Sequence, residues 1–389
     1  MKAKPTILSI SILSFALTSL GQNEFTITKY VQEIGNTKPV PISLSGFSGE
    51  AASVLRFDLE VQGFKVVDGE PPQFQLSGSN NGNVQGRLID AINKSSLVAK
   101  AYTGVSVRVQ AHALADDIVM AVLKIKGIGK TTIAFKVDAS RTSEIWIADF
   151  DGHNATNATK DNSIVAAPAW VPGRMTLYYT SYKSGKAFIY RHNLSTGERS
   201  PAVHYSGSNI SPSPSPDGNR IAMILDKDGW TDLYVSNMDG SGLTRLTNSR
   251  EDESSPCWSP DGQWIAFAAK VNGRRSLCKV PSTGGQIQRI TTTGVFNPTE
   301  PDWSPDGKWI VFTAQMGGFE LCVIPAGGGS AVMLGAGEDP SFAPNSRTVI
   351  FARRSGEGRT LSLLDVFTKQ SKDVRKEISG SNSQPSWAK

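Results

Sequence analysis

The sequence predicts two domains, an N-terminal α/β domain followed by an all-β six-bladed β-propeller. Three observations predict it. First, a short segment recurs: PAWVPGR from Pro168, PSPSPDG from Pro212, PCWSPDG from Pro256, PDWSPDG from Pro301, PSFAPNS from Pro340 and PSWAK from Pro385. Second, the intervals are 44, 44, 45, 39 and 45 residues, a period at which a propeller places one four-stranded blade. A flat β-sandwich has turns as dense but does not hold such a period. Third, residues 22–128 lack the repeat and carry helical spacing instead.

One repeat shows how a blade is written. Ser259-Pro260-Asp261-Gly262 suits a type I turn, because proline pre-sets φ at the second position and glycine accepts the geometry that follows. Gln263 to Ala268 is aromatic, β-branched and small, as a packed strand requires. Asn272-Gly273 marks a second turn, Ser276–Val280 a further strand, Pro281–Gly285 a third turn and Ile287–Ile290 the last strand. Arg220–Ile224, Leu233–Val235 and Leu243–Leu246 repeat this order, as do Trp309–Phe312 and Leu321–Ile324.

The ends give the blade count. Thr132–Val137 and Glu144–Asp149 read as middle strands of a blade that lacks its first strand, and Pro385–Lys389 as a first strand that lacks its blade. Joining them makes six blades and removes free sheet edges.

In the first domain, Pro41–Leu44, Phe64–Val67 and Phe74–Ser77 read as strands, with one or two more between Leu97 and Val107. Ser48 is placed to cap a helix through about Gln62, with Ala51, Val54, Leu55, Leu59 and Gln62 on one side and Gly63 as the stop. A second helix is expected from Ala111 to Leu123, with Ala115, Ile118, Val119, Val122 and Leu123 on its apolar side. Lys126–Gly129 then connects directly to the propeller.

Composition narrows function. Residues 1–21 read as a secretory signal, with Lys2 and Lys4 as its charged start, Ile7–Leu20 as the apolar stretch and cleavage near Gln22. No cysteine follows that site, so a lipobox anchor is not expected. The net charge of +5 falls to +3 without the leader's two lysines. The basic residues are scattered, which argues against nucleic acid. Cys257, Cys278 and Cys322 read as buried free thiols, without the CxxC or histidine pairs of a metal site. Gly127–Thr132 imitates a phosphate loop, but Lys124 stands where that motif needs glycine. No G-x-S-x-G string occurs. Asp217, Asp261 and Asp306 recur as turn residues, which argues for structure over chemistry, and His112 suits an interface better than a catalytic role. No catalytic residue, metal or cofactor is expected.

The helix leading through a glycine connector into Thr131-x-Ile133-Ala134-Phe135, then Glu144-Ile-Trp-Ile-Ala-Asp-Phe-Asp-Gly152 and the W-S-P-D-G repeats, resembles the TolB family of the Tol-Pal envelope system. The resemblance implies a non-enzymatic, monomeric periplasmic scaffold. Its propeller would bind a Pal-like peptidoglycan-associated lipoprotein, and its N-terminal region a TolA-like inner-membrane protein. It would be peripheral to the outer membrane through these partners and serve envelope integrity and constriction at division. The TolA-responsive segment would correspond to Gln22–Val31. Partner contacts would come from loops leading to the innermost strands: Ser208, Asn209, Ile210 and Ser211, then Glu253, Ser254 and Ser255, then Asn297, Thr299 and Glu300, and finally Glu338 and Asp339. Arginine at positions 209 and 300 is expected to weaken binding without unfolding the ring. The alternatives are an exported propeller hydrolase or accessory domain, or a TolB-like binder of a different envelope ligand.

Overall fold

The computed structural model describes residues 33–389 apart from Asp228 and Lys376. The expected leader and Gln22–Val31 lie outside the described residues. The N-terminal domain is a five-stranded sheet with two helices packed on each other and on one of its faces. Strand β1 (Val40–Ser45) leads to α1 (Gly49–Glu60), which crosses over to β2 (Phe64–Val66), parallel to β1. Strand β3 (Phe74–Ser79) lies parallel to the other edge of β1. Antiparallel β4 (Gln85–Asp90) and β5 (Ser96–Ala101) complete the sheet before α2 (Val107–Leu123).

The α1 residues expected to face inward are all buried, from Ala51 to Gln62. Ser48 does precede the helix, but its side chain makes no capping bond; its backbone N–H instead donates to Asn80 Oδ1 at 3.0 Å. Helix α2 starts four residues before the expected Ala111, because the Ser106 hydroxyl accepts from the Val109 N–H at 3.2 Å. The sequence reading missed β4, whose alternation is hidden by Gly86: that residue is buried beneath Leu114, and an added Cβ would lie 2.6 Å from its Cδ2.

Six four-stranded meanders follow. Blade two runs from Val165–Trp170 to Arg199–Val203, blade three from Asn209–Pro214 to Thr244–Arg245, and blade four from Glu253–Trp258 to Gln288–Ile290. Blade five runs from Pro298–Trp303 to Val332–Ala336, and blade six from Glu338–Phe342 to Ser371–Asp373. Blade one is composite: C-terminal Ser381–Trp387 is its inner strand and pairs antiparallel with Thr132–Ala139, placing Trp387 opposite Ile133. Each inner strand contacts the next around the axis, so the ring is closed. The S-P-D-G turns form as expected. In blade four the Gly262 N–H donates to Ser259 O at 2.9 Å, and the Ser259 hydroxyl accepts from the Trp264 N–H at 2.9 Å.

Ring closure and domain docking share one core. Trp387, Phe150, Ile133, Phe135, Ile350 and Leu363 form a buried cluster that also takes in Phe57 and Val61 at the end of α1 and Ile128 of the connector. Phe150 stacks on Trp387 with centroids 6.4 Å apart and meets Phe57 at 6.2 Å and His112 at 5.4 Å. Gly63 is needed here twice over: its φ is +96°, and a Cβ would sit 2.1 Å from Arg347 Nη2 of blade six.

Buried polar groups finish the junction. His112 Nδ1 lies 2.6 Å from Asp58 Oδ2 within the helices, while His112 Nε2 lies 3.5 Å from Asp151 Oδ2 of blade one. Arg108 pairs with Asp151 and Lys372 with Glu60. Burial pushes the Asp58 carboxyl above its ordinary range, against the opposing pull of His112. Asp116 accepts from the Gly129 N–H at 2.9 Å and is raised to about 6, chiefly by burial. The apparent phosphate loop is therefore a connector pinned against α2.

Two predictions follow from this junction. Trp387→Ala should cost about 3–5 kcal/mol in urea denaturation, as for other fully buried large aromatics; a loss below about 1 kcal/mol would mean the ring closes without that core. Asp58→Ala should cost about 3 kcal/mol by stranding His112 in a buried site; unchanged stability would show that the pair is dispensable.

Candidate docking face

All six inner strands run in the same sense, so equivalent positions form rings around the axis. One end of the ring carries the S-P-D-G turns. The other, the loop face, carries the connections that lead to the inner strands and the turns between the second and third strands of each blade.

The residue before each recurring proline adopts a left-handed conformation: Ala167, Ser211, Ser255, Glu300, Asp339 and Gln384 have φ between 48° and 55°. The inner strand slips register there in every blade, for example between Ile210 and Ser213. Each site is a β-bulge. Proline fits because the bulge leaves no ladder bond for the missing N–H to make. The strained residue turns its own N–H away from the blade, and in four cases a side chain of the preceding blade accepts it. Gln384 Oε1 accepts from Ala167 at 2.9 Å, Thr180 Oγ1 from Ser211 at 3.2 Å, Glu300 Oε2 from Asp339 at 3.1 Å, and Asp339 Oδ2 from Gln384 at 3.0 Å. These bonds stitch blade one to two, two to three, five to six and six to one.

The residues expected to bind partners divide into two groups. Asn209 is wholly buried, with its amide donating to Tyr205 O at 2.9 Å and Gly207 O at 3.1 Å and its oxygen accepting from the Tyr205 N–H at 2.9 Å. Glu253 is buried and accepts from the Leu233 N–H at 3.0 Å and the Ser249 hydroxyl at 2.9 Å; burial raises it to about 7. Glu338 is buried and paired with Arg359. Glu300 and Asp339 are half-buried in the stitching. Ser208, Ile210, Ser211, Ser254, Ser255 and Thr299 are half-buried, and Asn297 is exposed. The expectation that arginine at 209 would leave the ring folded is therefore corrected: the side chain has no room and closes its loop from inside.

The sequence reading passed over exposed apolar side chains on this face. Trp230 and Phe296 are 48% and 70% exposed, and Ile164, Tyr182 and Met316 are also exposed. All five lie in loop-face connections or turns. Ile164 and Tyr182 are adjacent, since Tyr182 N–H donates to Ile164 O at 3.0 Å; Phe296 O likewise accepts from Gln315 N–H at 3.1 Å, next to Met316. Their signal was legible as bulky apolar residues in predicted turns, where proteins normally place polar ones.

At the turn face, Trp170, Trp258, Trp303 and Trp387 surround a cavity of about 260 Å³ that Lys389 enters, its Nζ 2.7 Å from Asp302 Oδ2. The three cysteines are free and buried. Burial pushes the thiols of Cys278 and Cys322 up to about 11 and about 12. Among the described residues, no three His, Cys, Asp or Glu side chains are grouped to hold a metal, and no helix is long and apolar enough to cross a membrane.

A family model described as the TolB β-propeller domain matches residues 120–389. The chain belongs to the TolB family. The Tol-Pal system protein TolB of Bordetella parapertussis is 32% identical over 311 residues, covering 78% of this chain and 70% of that protein. The Bordetella pertussis protein of the same name is 32% identical over 276 residues, covering 69% and 63%. The crystal structure of TolB from Acinetobacter baumannii superposes with a TM-score of 0.81 at 21% identity, covering 91% of this chain and 98% of that one. That likeness establishes the fold, an α/β domain joined to a six-bladed propeller. The stitching residues and the exposed apolar face are properties of this TolB-family chain itself.

The stitching carries a pH dependence. Burial, and then the neighbouring Glu300 carboxylate, hold Asp339 well above the usual carboxylate range. The folded state therefore binds a proton that the unfolded chain has released, and stability falls as pH rises from about 4 through the folded pKa. Asp339→Asn removes that loss while keeping an acceptor for Gln384. Denaturation midpoints at pH 4.5 and pH 8 should show the variant gaining on the wild type toward pH 8; parallel curves would mean that Asp339 is ionised in the fold.

Proposed function

We propose that this chain is a non-enzymatic periplasmic scaffold of the Tol-Pal system. Its loop face docks a Pal-like peptidoglycan-associated lipoprotein, and its N-terminal region engages a TolA-like inner-membrane protein. This coupling serves outer-membrane integrity and constriction during division. The chain acts as an exported monomer, organised as a leader over residues 1–21, an α/β domain over 22–128 and a propeller over 129–389. The observation that carries this reading is the gathering of Ile164, Tyr182, Trp230, Phe296 and Met316 on one face. Exposed apolar side chains set among polar loops are what a reversible protein interface uses. The family relatives are named as Tol-Pal proteins, which supports the choice of system.

The non-enzymatic part is supported by the state of the axial carboxylates. Glu300 and Asp339 accept backbone N–H groups of neighbouring blades, and Asp302 holds Lys389 and the Phe342 N–H. Their oxygens hold the bulges and the C-terminal residue in place, which favours a structural use over chemistry. The contact residues proposed are Ser208, Ile210, Ser211, Ser254, Ser255, Asn297 and Thr299, together with the five apolar side chains. Asn209, Glu253, Glu300, Glu338 and Asp339 hold the loops in shape.

Calorimetry of residues 22–389 with the soluble domain of the Pal-like lipoprotein from the same organism tests the proposal. One-to-one binding at micromolar Kd or tighter is expected. Trp230→Ser with Phe296→Ser should weaken it at least tenfold, about 1.4 kcal/mol, with an unchanged melting temperature. Absence of heat and of co-elution would overturn the partner assignment.

A further inference from the structure

Beside the apolar side chains lies a site of a different chemistry. Between blades four and five, Arg274, Arg275, Arg289, Thr292, Phe296 and Asn297 line a cavity of about 380 Å³. Arg274 and Arg275 begin the third strand of blade four, immediately after its loop-face turn, and Arg289 lies on the adjacent fourth strand. Arg275 Nη1 reaches Ser254 Oγ at 3.3 Å, which ties the cavity to the inner strand of blade four. Among the described residues, none of the three arginines is in an ion pair, whereas Arg245 pairs with Asp232, Arg359 with Glu338 and Arg199 with Asp161. Glu253, next to Ser254, is buried and accepts from the Leu233 N–H and the Thr247 and Ser249 hydroxyls.

We infer that this cavity receives the carboxylate side chains of an acidic peptide segment carried by the protein docked on the loop face. Three guanidinium groups without an ion pair line one concavity, so an arriving anion meets three cations at once. Guanidinium forks take carboxylates in a two-point geometry, and the threonine hydroxyl and asparagine amide add donors. Phe296 stands at the edge of the same cavity and is also a member of the apolar face, so an acidic residue next to an apolar one would engage both. Such a contact sets orientation and association rate more than raw affinity. The inference deepens the docking proposal and depends on it only for the identity of the partner.

The probe is fluorescein-labelled hexaglutamate, followed by anisotropy at 50 mM and 200 mM salt with the mature chain. Arg274→Gln with Arg289→Gln should weaken binding at least tenfold and flatten its salt dependence, while leaving the melting temperature unchanged. Arg87→Gln with Lys160→Gln, which removes the same charge elsewhere on the surface, should leave binding intact. Equal loss in both double variants would overturn the site, because attraction would then follow net charge alone. Arginine-dependent binding of inorganic phosphate without binding of hexaglutamate would overturn it as well, in favour of a phosphate site. The lipoprotein's soluble domain is then titrated into the same variants. If it binds the wild type and the Arg274/Arg289 double variant equally, the inference fails and the docking proposal stands. If it binds none of them while hexaglutamate binding stays arginine-dependent, the partner assignment fails and the acidic-segment site stands.

Discussion

The packing of Trp387 against Phe150 is the contact on which the remainder of the molecule depends. Trp387 is the last buried residue of the closing strand, and Phe150 directly follows the strand pair that begins the propeller. Their cluster joins the two ends of the ring, removing the sheet edges that an open propeller would expose. The same cluster receives Phe57, Val61 and Ile128 from the N-terminal domain. Closure and docking thus draw on one cluster: the C-terminal strand supplies Trp387 to the core that also receives the end of α1. The charges around His112, Arg108 and Asp151 then fix the orientation of two surfaces that the apolar contacts alone would leave free to slide.

Most of the architecture was legible because it is written in local turn chemistry. S-P-D-G and N-G strings place blade boundaries to within a residue or two, and a closing strand follows from a first-strand motif left over at the end. What was not legible depended on long-range contacts. β4 escaped because Gly86 gives no apolar signal, although Leu114 of α2 covers it. Helix α2 began early because its cap is set by Ser106, outside the apolar period. At the candidate face the sequence marked the correct loops but not which side chains are free. Asn209 and Glu253 read as rim residues, yet both are buried and hydrogen-bonded to the backbone of their own and neighbouring loops. Polar residues at the start of a strand are ambiguous in this way until their backbone partners are known.

The resulting division of labour is physically economical. Polar side chains nearest the axis hold strained bulges together from blade to blade, so they give the loop face a fixed shape. The apolar side chains and unmatched arginines farther out are left unsatisfied by the fold. A rigid platform with unsatisfied groups at its rim suits reversible docking, since little ordering entropy is lost on binding. On the proposed reading, this surface docks its partner without rearranging its own core.

Hydrogen–deuterium exchange of the mature chain with and without the Pal-like lipoprotein domain tests that claim most directly. The account predicts slower exchange in the loop-face segments around residues 204–208, 226–231, 249–252, 271–275 and 294–297. Exchange in the S-P-D-G turns around residues 215–218, 259–262 and 304–307 should be unchanged. Protection confined to those turns, or to the N-terminal sheet, would contradict it.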